Sequence, residues 1–151
     1  MWPDTRVEEI VDQNFIPVRV HVQKNADEYQ RLGGKYGAEW TPTILMLDSS
    51  GNERHRVEGF LPASELVPHL EFGSARIAFS GGAFDKAEER FRHIAEWHPD
   101  AEVSPEALYW AGVSRYKGGD DKDALKATAA ALRDQYPSSS WAKKASVWAK
   151  G

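Results

Sequence analysis

Apolar positions in the first half of the chain change period several times. Val7, Ile10 and Val11 recur at i, i+3 and i+4 behind Asp4-Thr5, which predicts a short helix opened by a capping side chain. In FIPVRVHV, residues 15–22, Val18, Val20 and Val22 alternate with Arg19 and His21, the period of a strand with one apolar face. Pro17 has no N–H to give a ladder and suits the start of that strand. A helix is predicted from Asn25-Ala26-Asp27 to Tyr36, with a thin stripe of Tyr29, Leu32 and Tyr36. Gly33-Gly34 weakens it by about 1 kcal/mol per glycine, and Gly37 can close it. Ile44 to Leu47 is apolar at every position, as in a sheet strand covered on both faces. Asp48 to Asn52 reads as a hairpin loop, and the more polar residues 53–57 suit an edge strand. Pro62 can start the next helix, with Leu66 and Leu70 facing inward.

Strand signals stop near residue 73. Phe84, Ala87, Phe91 and Ile94 recur at helical spacing; Leu108, Ala111 and Gly112 begin another helix; Ala124, Thr128, Ala131 and Leu132 make the next. Gly118-Gly119-Asp120 is a turn, and Tyr136-Pro137 is a stop. Trp141, Ala145 and Trp148 stand at i, i+4 and i+7 on a last helix.

Charge divides the chain at the same place. Residues 1–72 hold 7 Lys+Arg against 12 Asp+Glu, whereas residues 73–151 hold 12 against 11. Two units are therefore expected, 1–72 and 73–151. The net charge of −4 gives no electrostatic case for nucleic acid or an anionic membrane, and neither is expected as a partner. No apolar run reaches the roughly 18 residues of a membrane span. The acidic start MWPDTRVEE lacks the basic and apolar regions of a signal peptide, so a cytoplasmic location is expected. The absence of cysteine removes disulfides, thiolate nucleophiles and Cys-ligated zinc.

NFIPVRVHV, KYGAEWTPTILMLDSSG and HRVEGFLP together resemble the thioredoxin-fold family, from its second core strand to its last helix, over about residues 4–70. The resemblance implies a cis peptide bond before Pro42. It implies that Thr41 offers its backbone to an extended peptide, and it makes Trp40, Thr41 and Pro42 the candidate peptide-binding residues. For Trp40 two accounts stand side by side: packing under the proline loop, or contact with the peptide. The second half resembles tetratricopeptide repeats. Gly82, Phe84, Ala87, Phe91 and Pro99 carry the motif in a first unit, and Gly112, Gly119, Ala124, Ala131 and Pro137 carry it in a second. The expected fold is α/β plus all-α: an incomplete thioredoxin-like sheet with flanking helices, then antiparallel repeat helices. Thioredoxin-like domains joined to such repeats resemble a bacterial family, which implies a part in cell redox homeostasis.

The family's Cys-x-x-Cys and the strand before it have no counterpart in this sequence. That strand normally lies between the strands at 15–22 and 43–48. Three arrangements follow: those two strands pair directly, another chain or segment fills the gap, or the domain is loosened. Three functions follow as well. The first is a binding module for a protein or peptide, without enzymatic activity. The second is a truncated bacterial thiol–disulfide oxidoreductase with its cysteine pair encoded upstream of Met1, which the upstream gene sequence would reveal. The third is a homo-oligomer completed through the sheet.

Other chemistry reads as bland. His21, His55, His69, His93 and His98 form no metal-ligand spacing; His93 and His98, five apart, do not share a helix face. Ser64, Ser74 and Ser80 lack a nucleophile-elbow context. Asp120, Asp121 and Asp123 lack the glycine and final glutamate of a calcium loop. No catalytic residue, metal or cofactor is expected.

Overall fold

A computed structural model describes residues 2–150. They form two units that divide between Leu70 and Glu71, each with its own core.

The first unit opens with α1 (Thr5–Asn14), where the Asp4 side chain accepts from the Arg6 backbone N–H at 2.9 Å. α2 (Ala26–Tyr36) ends at Gly37, whose φ of 63° is the left-handed conformation that glycine adopts without strain. β1 (Thr43–Leu47) and β2 (Glu53–Glu58) form a two-stranded antiparallel sheet, with Thr43 opposite Glu58 and Met46 opposite His55. Asp48 organises the hairpin: its Oδ1 accepts from the N–H groups of Ser50 and Asn52, each at 2.9 Å. The next helix, α3 (Ala63–Ser80), contains Pro68, and its first turns belong to this unit.

Sheet and helices meet along one face. Met46 and Val57 pack with Val7 and Val11 of α1 and with Leu66, Val67 and Leu70 of α3. Ile44, one pleat from Met46, borders the same cluster. The expectation that residues 44–47 are covered on both faces is only partly met, since Met46 alone of the four is fully buried. On the other face Arg56, opposite Leu45, donates to the carbonyls of Tyr36 and Gly37 at the end of α2. A guanidinium tied to a helix end covers that face more sparsely than an apolar layer does.

The predicted strand at 15–22 is not formed. The segment has no ladder partner among the described residues, and Ile16 and Val18 are 92% and 82% exposed. Its periodicity is that of a strand, but an isolated strand gains no inter-strand hydrogen bonds to offset the entropy of fixing it. Its end is claimed locally instead. His21 Nδ1 accepts from the N–H groups of Gln23 and Lys24, and Asn25 Oδ1 accepts from the His21 N–H, so residues 22–25 turn into α2. His21 thus belongs to a turn and not to the polar face of a strand.

The second unit is helical: the last turns of α3, then α4 (Phe84–Trp97), α5 (Ser104–Gly119), α6 (Lys122–Gln135), α7 (Ser140–Ala145) and a 3-10 turn over residues 146–150. Each helix packs mainly on its sequence neighbours, the pattern of stacked repeats. Phe72, Ala75 and Ala78 of α3 meet Ala87, Phe91 and Ile94 of α4 and Ala107 and Ala111 of α5 in one core. A second core joins Leu108, Ala129, Leu132 and Ala145. Gly82 turns the chain at φ 79°. In the later turn the left-handed residue is Asp120 at φ 52°, not either glycine before it. The predicted stripe on the last helix continues into the 3-10 turn. Trp141 and Trp148 both pack on the ring of Tyr109, with centroids 5.0 and 4.7 Å away.

Candidate functional site

The loop after α2, residues 38–42, leads into β1. Trp40, Thr41 and Pro42 are all exposed, Trp40 at 69%. Packing beneath the proline loop therefore does not describe Trp40. The Thr41–Pro42 peptide bond is cis. The Thr43 hydroxyl donates to the Trp40 carbonyl, which ties the loop to the first residue of the strand. From the other side, the Gly59 N–H donates to the Pro42 carbonyl at 2.8 Å. Residues 42 and 59 thereby extend the sheet by one hydrogen-bonded pair. Phe60 follows at once and is 82% exposed, so two large aromatics stand at this end of the hairpin.

That same bond sets which backbone groups face outward. In an antiparallel pair, hydrogen-bonded and non-hydrogen-bonded positions alternate. With residue 42 bonded to β2, the N–H and C=O groups of Thr43 and Leu45 point away from it. No second strand pairs with this edge of β1 among the described residues. The edge thus begins at the loop that carries Trp40. An open depression of about 380 Å³ lies nearby, between Gly33 and Gly34 of α2 and the chain at Ala38 and Glu39. A Cβ built on Gly34 or on Gly37 would meet nothing within 4 Å.

The three residues expected to bind peptide are thus brought together in one exposed loop. A second constellation was not expected. Glu71 of α3 faces His93, one turn before the end of α4, and His98, the residue capping that helix. Glu71 Oε1 lies 3.5 Å from His93 Nε2, and Glu71 Oε2 lies 3.2 Å from His98 Nε2. Burial pushes the Glu71 carboxyl up, against the pull of His98 and His93. Five residues cannot repeat on one helical face, but His98 has left the helix at φ −130°, ψ 55°, which frees its ring to turn back. The proline after it is the sequence signal that the helix ends there.

No helix among the described residues is long and apolar enough to cross a membrane. No match was found among curated proteins or among solved structures. Family models do match both halves, one described as a thioredoxin-like domain over residues 1–74 and one as a tetratricopeptide repeat over residues 106–139. The second spans α5 and α6 and includes Gly112, Gly119, Ala124, Ala131 and Pro137, the five residues that carry the repeat motif there. Residues 1–74 are thus similar to a thioredoxin-like domain and residues 106–139 to a tetratricopeptide repeat, in a chain that holds no cysteine.

Proposed function

We propose that the chain is a binding module for an extended segment of a partner protein. The peptide adds as a strand along the free edge of β1, and Trp40 packs against its side chains at the Thr41–Pro42 end. The observation that carries this reading is a 69% exposed tryptophan at the head of a strand edge that no second strand pairs among the described residues. Main-chain groups of Thr43 and Leu45 supply affinity without regard to sequence, and the aromatic ring supplies preference. Tetratricopeptide repeats generally mediate protein contacts, which supports a protein partner for the second unit too. Dithiol exchange needs a cysteine pair, and this sequence holds none.

The test is a peptide-display selection against the full chain, followed by affinity and hydrogen-exchange measurements on the selected peptides. Trp40→Ala is expected to weaken binding at least about tenfold, as expected of an aromatic anchor. The amides of Thr43 and Leu45 gain protection when peptide binds. Peptides that bind Trp40→Ala equally well and protect neither amide would refute the site.

A second reading, self-association through the incomplete sheet, is favoured by one observation. Ile16 and Val18 are left almost fully exposed in an unpaired segment of strand-like sequence, a template for edge pairing between copies. Light scattering over a range of concentrations decides it. A mass that stays at 16.9 kDa excludes this reading.

A further inference from the structure

Outside the peptide loop, one cluster combines ligand chemistry, convergence and a buried group left without a hydrogen bond. Glu71, His93 and His98 place one carboxylate oxygen and two imidazole nitrogens within 4.8 Å of one another. Glu71 Oε2 is buried and receives no hydrogen bond of acceptable geometry, although His98 Nε2 stands at ion-pair distance from it. A carboxylate oxygen withdrawn from water normally finds a donor, so a carboxylate that faces one imidazole with each oxygen, and whose buried oxygen lacks a directed N–H, suits a cation among the three residues. We propose that these three residues bind a divalent transition-metal ion of the zinc type. The proposal is independent of the peptide-binding reading.

Geometry supports it first. Zinc binds nitrogen and carboxylate oxygen at about 2.0–2.2 Å, so neighbouring ligand atoms of a tetrahedral site stand roughly 3.3–3.5 Å apart. The carboxylate–imidazole separations, 3.5 Å from Oε1 to His93 and 3.2 Å from Oε2 to His98, run from different oxygens; one carboxylate oxygen and the two ring nitrogens lie within 4.8 Å of one another, so a modest inward shift of the side chains closes the site. His93 is half exposed and stacks on Trp97, with centroids 5.8 Å apart, so its ring can close the third edge at the surface.

His98 is held more firmly. Its N–H donates to the Ile94 carbonyl at 2.8 Å. Its own carbonyl accepts from the Ala101 N–H and from the hydroxyl of the fully buried Ser104. Backbone bonds on both sides of the residue fix where the ring can reach, the supporting shell that a ligand histidine needs.

The donor set selects the ion. Two imidazoles and one carboxylate suit zinc, cobalt, nickel and copper, whereas magnesium and calcium prefer oxygen donors alone. Both rings reach solvent, so water takes the fourth position. A bound ion would join α3 to the end of α4 and stabilise the second unit in proportion to its concentration.

The experiment is calorimetric titration of the full, metal-free chain with zinc chloride, alongside cobalt chloride followed by visible absorption and a magnesium chloride control. One equivalent of zinc is expected to bind, the cobalt adduct is expected to absorb in the visible, and the melting temperature is expected to rise with zinc. Glu71→Gln and His98→Ala should each weaken binding by about ten- to a hundredfold or more. The other close imidazole pair, His55 and His69 at 2.9 Å, is the competing site, so His55→Ala should bind zinc as the unaltered chain does. Circular dichroism checks the variants. Should the histidine variant misfold, the isosteric Glu71→Gln decides. No saturable binding of zinc, or binding that survives Glu71→Gln or is lost in His55→Ala, would overturn the proposal.

Discussion

Replacing Gly112 by alanine tests the repeat packing at its closest point. A Cβ built on Gly112 would stand 2.2 Å from Thr128 Oγ1, 2.7 Å from Thr128 Cβ and 2.8 Å from Thr128 Cγ2. Ordinary carbon contacts are about 3.5–4.0 Å. Rotating Thr128 about χ1 moves Oγ1 and Cγ2, at the expense of the 2.7 Å bond from its hydroxyl to the Ala124 carbonyl. It leaves Cβ where it is, since that atom is fixed by the α6 backbone. Relief therefore requires α5 and α6 to separate by about 1 Å, and with three contacts below 3 Å the cost falls at about 2–3 kcal/mol, the upper part of the range for overpacking. Alanine returns about 1 kcal/mol through helix propensity. The net expectation is a loss of about 1–2 kcal/mol, or roughly 5–15 °C in melting temperature for a unit of this size. Urea melts followed by far-UV circular dichroism measure it.

Two further variants isolate the cause. Thr128→Gly removes all three obstructing atoms, so Gly112→Ala with Thr128→Gly should show a favourable coupling of about 1 kcal/mol or more in a double-mutant cycle. Gly34→Ala, in α2 where a Cβ meets nothing within 4 Å, should instead stabilise the first unit by about 0.5–1 kcal/mol. Gly112→Ala as stable as the unaltered chain, or a coupling of zero, would refute the reasoning.

Two more outcomes are expected. The Ser139 side chain accepts from the Ala142 N–H at 3.0 Å and caps α7, so Ser139→Ala should cost about 1 kcal/mol in the same urea melts. Burial raises the Glu106 carboxyl above its ordinary 4.5, a shift that the charge of Arg76 only partly opposes. Its contribution to stability is then full below the ordinary value and is lost as pH rises through the raised one. Melts from about pH 4 to 7 should show Glu106→Gln gaining stability relative to the unaltered chain as pH rises, and parallel curves would contradict this.

Much of the architecture is legible in the sequence because it rests on local rules. Asp4 and Gly37 bracket their helices through capping and left-handed geometry, which need no distant partner. The hairpin at Asp48–Asn52 is equally local. Helical spacing at Phe84, Ala87, Phe91 and Ile94 names a buried face, and three of those residues form the centre of a core. The loop of Trp40, Thr41 and Pro42 is visible as a motif before it is visible as a site.

What the sequence could not decide depends on partners far along the chain. FIPVRVHV has the period of a strand, but a strand exists only where another offers it hydrogen bonds, and none does among the described residues. Whether Trp40 packs or projects depends on neighbours that no local pattern encodes, and the folded chain leaves it 69% exposed. Gly112 reads as a motif position, but its necessity comes from Thr128 on the neighbouring helix. Glu71, His93 and His98 show the limit most plainly. Their spacing suggests no common site, because spacing measures distance along the chain. Helix packing and the end of α4 bring them together in space.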